Sequence, residues 1–474
     1  VGGCVRAILR HVEPQDWDIT TAARPEQILS LFPGAKYQNQ FGTVIYPLKN
    51  EKGQILEIIE ITTYRSEGKY SDFRHPDEIK FEDKLEKDLS RRDFTVNAMA
   101  LKPLGAHLPI AADLKKYVLE LEGAQVVDLF GGLKDIKNKI IRAVGEPSDR
   151  FKEDALRMMR AVRFVAQLDF TLEPKTERAI KRLASSIRFI AKERIRDELI
   201  KILSSPHPYY GIKLLHQTRL LQYILPELEQ GVGVQQNRHH RYTVFEHSLF
   251  SLKYCPNPDW RVRLAALLHD VAKPLTKRIV QGEATFYNHE VVGAKIVTKI
   301  MRRLHFAKKD IDKVVTLVKN HMFYYNVDEV TASSVRRLIR KVGKDNLQDL
   351  IDLRVADRLG SGVPKAKPYK LRHLEYMMKK VQNDPISVKM LKINGNDLMN
   401  VLKIPPSPKI GAILDVLLSE IIENPSLNNR EYLLNRSLEL NHHNLEELRQ
   451  KAREIIQEKQ KKEDDKLKKE FWVK

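Results

Sequence analysis

The rhythm of apolar and polar positions changes near residue 146. Before it, the runs "GTVIYPL" and "ILEIIEITTY" are dense in β-formers, and "KNEKGQ" between them predicts a turn joining two strands. "RPEQILSLF" predicts a helix. Beyond residue 146, amphipathic helical patterns run to the end, punctuated by Pro206, Pro208, Pro256, Pro258, Pro274, Pro364 and Pro368. The clearest is "DRFKEDALRMMRAVRFVAQLDF", residues 149–170. There Ala155, Met158, Met159, Val162, Val165 and Ala166 recur at i, i+3, i+4, i+7 and predict a buried stripe. No internal repeat interrupts the series. The stretch "GSGVPKAKPYK", 360–370, reads as a linker or loop. The closing "RQKAREIIQEKQKKEDDKLKKEFWVK" reads as a charged helix, either solvated or set against RNA.

Composition sharpens this picture. A chain of 474 residues with 42% hydrophobic content holds several domains, three or four by the usual size of about 100–200 residues each. No apolar run approaches the ~18 residues of a membrane span. No secretory signal is visible in the opening "VGGCVR". The two cysteines, Cys4 and Cys255, lie far apart without C-x-x-C spacing, which argues against a disulfide scaffold or a cysteine zinc site and suits a reducing cytosol. Finally, 82 Lys and Arg against 62 Asp and Glu give a net charge of +20, which favours a polyanionic partner, most simply nucleic acid, over general solubility.

Candidate chemistry begins at "EPQDWDITT". On a strand Asp16 and Asp18 share a face, and two carboxylates side by side invite a divalent cation. A polar strand edge is the plainer reading. Glu60, among β-formers in "EIIEITTYR", is a third acid that an adjacent strand would bring alongside; alone it reads as a solvent-facing strand residue. Three carboxylates around Mg²⁺ suit nucleotidyl transfer. Upstream, Gly2 and Gly3 precede a short helical pattern carrying Arg6, an arrangement that lets backbone N–H groups approach phosphate. In "DLSRRDFTVNAMA", 88–100, Arg91 and Arg92 suit phosphates or a ribose, and Asp93 suits a sugar hydroxyl or an arginine in need of orienting. Opposite the stripe of 149–170, Glu153, Asp154 and Arg157 are spaced to sit together. A carboxylate acceptor beside a guanidinium donor matches the Watson–Crick edge of C or A and refuses U and G; a plain salt bridge has the same spacing.

Together "VGGCVR", "DWDIT", "EITTYR", "SRRDFTVNAMA", "DLFGGLKDI", "IRAVGEP" and "RFKEDALRMMRAVRF" resemble the class II tRNA nucleotidyltransferases, the bacterial CCA-adding enzymes and their poly(A) polymerase relatives. The resemblance covers residues 1 to about 170. It implies Mg²⁺ at Asp16 and Asp18, with Glu60 as the strand acid completing the catalytic set. It implies nucleotide contacts from Gly3, Arg6, Arg92, Asp93 and Arg160, and selection of CTP and ATP by Glu153, Asp154 and Arg157. The family's flexible element falls at 65–81, and its presence favours A addition. One departure is Ala7, where the family pattern G-G-x-V-R-D has an acid. Residues 101–125 look like an insertion without an assigned role.

A second set follows: His247 in "VFEHSL", His269, Asp270 and Lys273 in "LAALLHDVAK", His289, His321, and Asp357 in "RVADRLG". Imidazoles and carboxylates suit Mn²⁺, Fe²⁺, Co²⁺, Ni²⁺ or Mg²⁺ better than structural zinc. The spacing looks like the HD phosphohydrolase superfamily, with His247, His269, Asp270 and Asp357 as the metal set and His289 and His321 in optional positions. An inherited helical scaffold that only holds tRNA is the alternative.

The expectation is therefore an α+β, mostly helical chain: a polymerase-β-like α/β head (1–140), a helical neck (141–205), an HD-containing body (206–370) and a basic helical tail (371–474). It would be a cytoplasmic enzyme adding C and A to the tRNA 3′ end from CTP and ATP with Mg²⁺, and with Mn, Ni, Co or Mg at the HD site. An enzyme adding only the terminal A, a poly(A) polymerase, or a phosphohydrolase with an RNA-binding head are the alternatives.

Overall fold

The computed structural model describes residues 1–39, 42–68, 79–103, 118–121, 123–236, 241–323, 325–327, 331–382, 388, 391–450, 464–465 and 468–473. The chain divides into two compact units, residues 1–321 with 352–364, and residues 322–351 with 365–474.

The first unit opens with helix α1 (Gly3–Leu9) and a four-stranded sheet of order β1-β4-β3-β2, built from β1 (Asp18–Thr21), β2 (Lys36–Asn39), β3 (Thr43–Lys49) and β4 (Ile55–Thr63). The expected β3–β4 turn forms. The Asn50 side chain accepts from the amides of Lys52 and Gln54 at 3.0 and 2.9 Å, and Gly53 takes the positive φ of 75° that closes it. Helix α2 (Pro25–Leu31) covers one face of the sheet, where Ile28, Val44 and Ile61 are buried together. β1 runs parallel to β4 and β3 antiparallel to it.

β5 (Arg65–Glu67) and β6 (Ile79–Phe81) pair as the two arms of the expected flexible element, whose centre, 69–78, lies outside the described residues. Helix α3 (Leu85–Ser90) then leads into the "RRD" run. A second sheet, order β7-β9-β8, is made by β7 (Met99–Pro103), β8 (Val118–Leu121) and β9 (Ala124–Asp128). Part of the insertion at 101–125 is thus a strand hairpin; residues 104–117 lie outside the described residues. In "DLFGGLKDI" the Asp128 carboxylate accepts from the amides of Gly132 and Leu133 at 2.8 and 2.9 Å, fixing the start of α4 (Gly132–Lys137). A side chain at Gly132 would meet the Thr95 carbonyl at 2.4 Å, so only glycine fits there.

The expected single helix over 149–170 is two. After β10 (Ile140–Ile141), α5 (Pro147–Glu153) stops at Asp154, which is extended (φ −143°, ψ 106°), and α6 (Leu156–Leu168) begins after it. The predicted stripe is buried throughout. After β11 (Thr171–Leu172), α7 (Pro174–Leu183), α8 (Lys192–Leu203) and α9 (Pro208–Gln217) pack around α5 and α6. Short α10 (Leu221–Ile224) and α11 (Pro226–Glu229) lead to the helices that carry the histidines: α12 (Val244–Lys253), α13 (Trp260–Leu268), α14 (Lys273–Thr276), α15 (His289–Arg303) and α16 (Lys308–Asn320). A hairpin of β12 (Arg278–Val280) and β13 (Glu283–Thr285), not anticipated among helical patterns, interrupts them. Its two-residue turn, Gln281 and Gly282, has φ of 50° and 80°, the geometry that matches strand twist.

The compact units cut across the expected divisions of the chain. Head, neck and most of the body pack as one unit, because α6 lies against α8 and α9 while side chains of α6 reach back to residues 91–93. The expected 370/371 boundary falls at 364/365, inside "GSGVPKAKPYK". Residues 322–351 belong with the tail: α17 (Ala332–Val342) buries Val335, Ile339 and Val342 and packs on α19 (Tyr369–Gln382). Between them α18 (Leu347–Gly360) contributes its residues from Asp352 on to the first unit. α20 (Gly395–Leu402), α21 (Pro408–Glu423) and α22 (Arg430–Leu440) complete the second unit, with Leu398, Ile413, Leu417 and Leu433 fully buried. Residues 451–463 of the charged closing run lie outside the described residues. Among the described residues no helix is long and apolar enough to cross a membrane.

Candidate active site and metal centre

Asp18 opens β1, and its register partner on parallel β4 is Glu60. Register partners on adjacent strands project to the same face, so the two carboxylates are neighbours. Asp16 sits in the bend before β1, not on the strand, so the alternation expected for Asp16 and Asp18 is replaced by a turn that leads into it. Burial raises the Glu60 pKa, and the fields of Asp18 and Asp16 raise it further. Three acids that repel one another in this way fit a cation. The oxygens of these three are not among the groups gathered within 4.8 Å of one another in the described residues.

Gly2, with φ 76°, marks the close approach beside these acids. A side chain there would meet Arg92 Nη1 at 2.7 Å and Asp18 Oδ2 at 3.4 Å. Gly3 opens α1, and Arg6 on the same helix bonds the Asn97 side chain and lies over the Phe164 ring at 5.0 Å. Burial holds Arg6 at about 10, with Asp93 opposing. Ala7, half-buried on α1, adds no charge.

Asp93 is buried, and its acceptor positions are engaged. Oδ2 takes Arg160 Nε and Nη2 at 2.8 and 2.6 Å; Oδ1 takes the Phe94 amide at 2.9 Å and Asn97 Nδ2 at 3.2 Å. Of its two expected roles the geometry realises the orienting of an arginine. Burial pushes the Asp93 carboxyl up, and Arg160, by charge and hydrogen bond, outweighs it, bringing the pKa to about 2. A carboxylate whose folded pKa lies below its unfolded value stabilises the fold above about pH 4 and loses that contribution as pH falls toward 2. Urea melts of wild type and Asp93→Asn should therefore differ by on the order of 2 kcal/mol near pH 6 and converge near pH 2.

The base-reading triad is arranged differently from its sequence spacing. Arg157 pairs with Glu153 and donates Nη2 to the Arg91 carbonyl at 3.3 Å. Asp154, at the α5–α6 break, pairs instead with Arg194 at 2.7 Å and accepts from the Leu156 amide at 3.0 Å. Arg194 was missed: it lies 40 residues on, in α8, with no local signal tying it to Asp154. Asp88 was missed although it begins the "DLSRRD" run. It is fully buried and accepts from Arg91 and Arg92.

Helices α12 to α16 and the part of α18 from Asp352 on build the second centre, and every residue expected there is in it. His247 Nε2 and His269 Nε2 are 3.0 Å apart; His289 Nε2 and His321 Nε2 are 3.3 Å apart. Asp270 Oδ2 lies 3.2 Å from both His247 and His269, and its Oδ1 lies 3.3 Å from His289 and 3.8 Å from His321. Asp357 Oδ1 is 3.2 Å from His247 and 3.7 Å from His269. The tautomers follow from the backbone. His269, His289 and His321 each place Nδ1 2.7–2.9 Å from a carbonyl, of Ala266, Phe286 and Val318, which only accepts. Nδ1–H is thereby fixed on each, and the Nε2 lone pairs face one another inside the cluster. Converging ring nitrogens and two carboxylates fit a divalent ion. Two groups, His247–His269–Asp357 and His269–Asp270–His321, have ligand atoms within 4.8 Å. Lys273 Nζ, also buried, sits 2.6 Å from Asp270 and 2.7 Å from Gln236.

Comparison with known families agrees with this layout. Residues 1–142 match the family described as "Poly A polymerase head domain", 169–231 "Probable RNA and SrmB- binding site of polymerase A", and 244–361 "HD domain". An A-adding tRNA nucleotidyltransferase of Deinococcus radiodurans is 34% identical over 436 residues, 88% of this chain and 89% of that protein. The chain belongs to the class II tRNA nucleotidyltransferases. A CCA-adding enzyme of Ligilactobacillus salivarius is 32% identical over 93% of this nucleotidyltransferase and 92% of its own length. The crystal structure of the Bacillus stearothermophilus CCA-adding enzyme in complex with CTP has the same fold, with a TM-score of 0.53, 24% identity, and coverage of 93% and 92%. The first family match overlaps the expected head and the third lies within the expected body, while the second, 169–231, runs across the expected boundary at 205/206.

Proposed function

We propose that the chain adds C and A nucleotides from CTP and ATP to the 3′ end of tRNA without a nucleic-acid template. The observation that carries this is the register pairing of Asp18 with Glu60 beside Gly2 and Arg92, within a chain whose head, neck and HD segments all match the family. Mg²⁺ held by Asp16, Asp18 and Glu60 would supply activation of the 3′-hydroxyl and charge neutralisation at the departing pyrophosphate. Arg92, beside Asp18, meets phosphate oxygens, and the bare backbone at Gly2 and Gly3 leaves room for the triphosphate. Arg6 and Arg160 add positive charge behind it, Arg160 held in place by Asp93. Asp154 accepts from the exocyclic amine of C or A while Arg157 donates to the ring nitrogen; both give up present partners, Arg194 and Glu153, to do so. The basic chain holds tRNA chiefly through phosphates.

One observation favours a narrower reading, addition of the terminal A alone: the Deinococcus radiodurans relative, similar along 88% of this chain, is an A-adding enzyme. Purified protein supplied with each NTP separates the two. Extension of tRNA lacking CCA by CTP and then ATP supports full CCA addition. Extension only of tRNA ending in C-C supports A addition, and long A tails on unrelated RNA support a poly(A) polymerase. At the HD centre we read a metal-dependent phosphohydrolase, with Mn²⁺, Ni²⁺, Co²⁺, Fe²⁺ or Mg²⁺ held by His247, His269, Asp270 and Asp357.

A further inference from the structure

A carboxylate with no exposed surface must be paired, and the partners of Asp88 are both functional arginines. Its Oδ1 accepts Arg91 Nε at 3.0 Å and Nη2 at 2.6 Å, and its Oδ2 accepts Arg92 Nη2 at 3.3 Å. These arginines face two halves of the site. Arg92 lies over Gly2 next to Asp18, while the Arg91 carbonyl accepts from Arg157, and the adjoining Ser90 carbonyl accepts from Arg150. The turn after α3 is therefore where the phosphate side and the base-reading side meet, and one buried carboxylate clasps both arginines of that turn. We propose that Asp88 is a positioning residue for nucleotide transfer, aligning Arg92 toward the triphosphate and, through Arg91, setting the anchor of Arg157.

This rests on the nucleotidyl-transfer reading, which the wild type's own incorporation of CTP and ATP tests separately. Calorimetric binding of CTP needs no turnover and tests the proposal itself. Asp88→Asn keeps the shape and removes the charge. It should raise KM and the calorimetric Kd for CTP about tenfold with kcat within about threefold, and reduce discrimination against UTP about tenfold, as loss of a charge-assisted clasp would. Arg91→Met should move the same quantities in the same direction by a smaller factor. In an Arg92→Lys background, Asp88→Asn should add less than about twofold in KM, because neighbours acting through one group are not additive. A role confined to ending α3 would lower the melting temperature and leave KM, Kd and UTP discrimination unchanged, and that result overturns the proposal. Full additivity with Arg92→Lys overturns it too. Should Asp88→Asn fail to fold, Arg91→Met decides: wild-type Kd and UTP discrimination in that variant count against the proposal.

Discussion

Asp18→Ala should lower nucleotide incorporation by at least about a thousandfold while leaving metal-dependent hydrolysis at the HD centre within about twofold of wild type. Lewis-acid stabilisation of transferring phosphoryl charge is worth several kcal/mol, and each 1.4 kcal/mol is tenfold in rate. Asp18 is the register partner of Glu60, and both it and the Arg92 guanidinium border Gly2. Its removal takes away the carboxylate proposed to hold Mg²⁺ beside Glu60. The fold should tolerate the change. Asp18 is half-buried at the strand's first position, and the β1–β4 pairing runs through backbone groups from Asp18 to Thr21. The melting temperature should therefore stay close to wild type, which separates lost chemistry from lost structure. Single-turnover incorporation of CTP into tRNA lacking CCA gives the rate. Retention of more than a tenth of it would remove Asp18 from the metal site and with it the proposed mechanism.

Legibility in the sequence followed the range of the interactions involved. The α6 stripe was readable because 3.6-residue periodicity is local and its burial is nearly complete. The β3–β4 turn was readable because Asn and Gly act through their own backbone neighbourhood. The histidine set was named in full. Backbone carbonyls orient three of its rings, so ligand identity sufficed without knowledge of packing. What spacing concealed was pairing across elements. Asp154 and Arg157 are three apart, yet the break at Asp154 turns its carboxylate toward Arg194, on another helix. Asp93 could be assigned to a sugar or to an arginine, and only the approach of α6 selects Arg160. Asp16 read as a strand residue because D-x-D alternates on a strand, but the strand begins at Asp18. The β12–β13 hairpin lacked an Asn-Gly or Asp-Gly signal; its Gln-Gly turn adopts the same positive φ values without the usual composition. Compact units were not legible, since contact between segments distant in the chain leaves no trace in composition.

Stripping divalent ions should destabilise the protein, and His269→Ala should abolish metal-dependent phosphoester hydrolysis while leaving CCA incorporation within about twofold. An ion that binds only the folded state at 100 times its Kd adds about 2.7 kcal/mol, so EDTA should lower the melting temperature and Mn²⁺, Co²⁺ or Ni²⁺ should restore it. The pH dependence has a definite sign. Burial disfavours the charged form of His269, but Asp270 and Asp357 outweigh it and raise the pKa to about 10; the same two carboxylates raise His247 against burial. His321 goes the other way, lowered to about 3 by burial and by His269. The His247 and His269 Nε2 atoms lie 3.0 Å apart between these carboxylates, so a proton and a cation compete for one position. Binding should release at least one proton, and affinity should rise roughly tenfold per pH unit between about pH 6 and 8 for each proton displaced. Calorimetric titration with Mn²⁺ in two buffers of different ionisation enthalpy counts the protons directly. In His269→Ala the proton release should fall with the affinity. A pH-independent affinity, or hydrolysis surviving His269→Ala, would mean that the converging imidazoles hold the helices together and do not serve a metal.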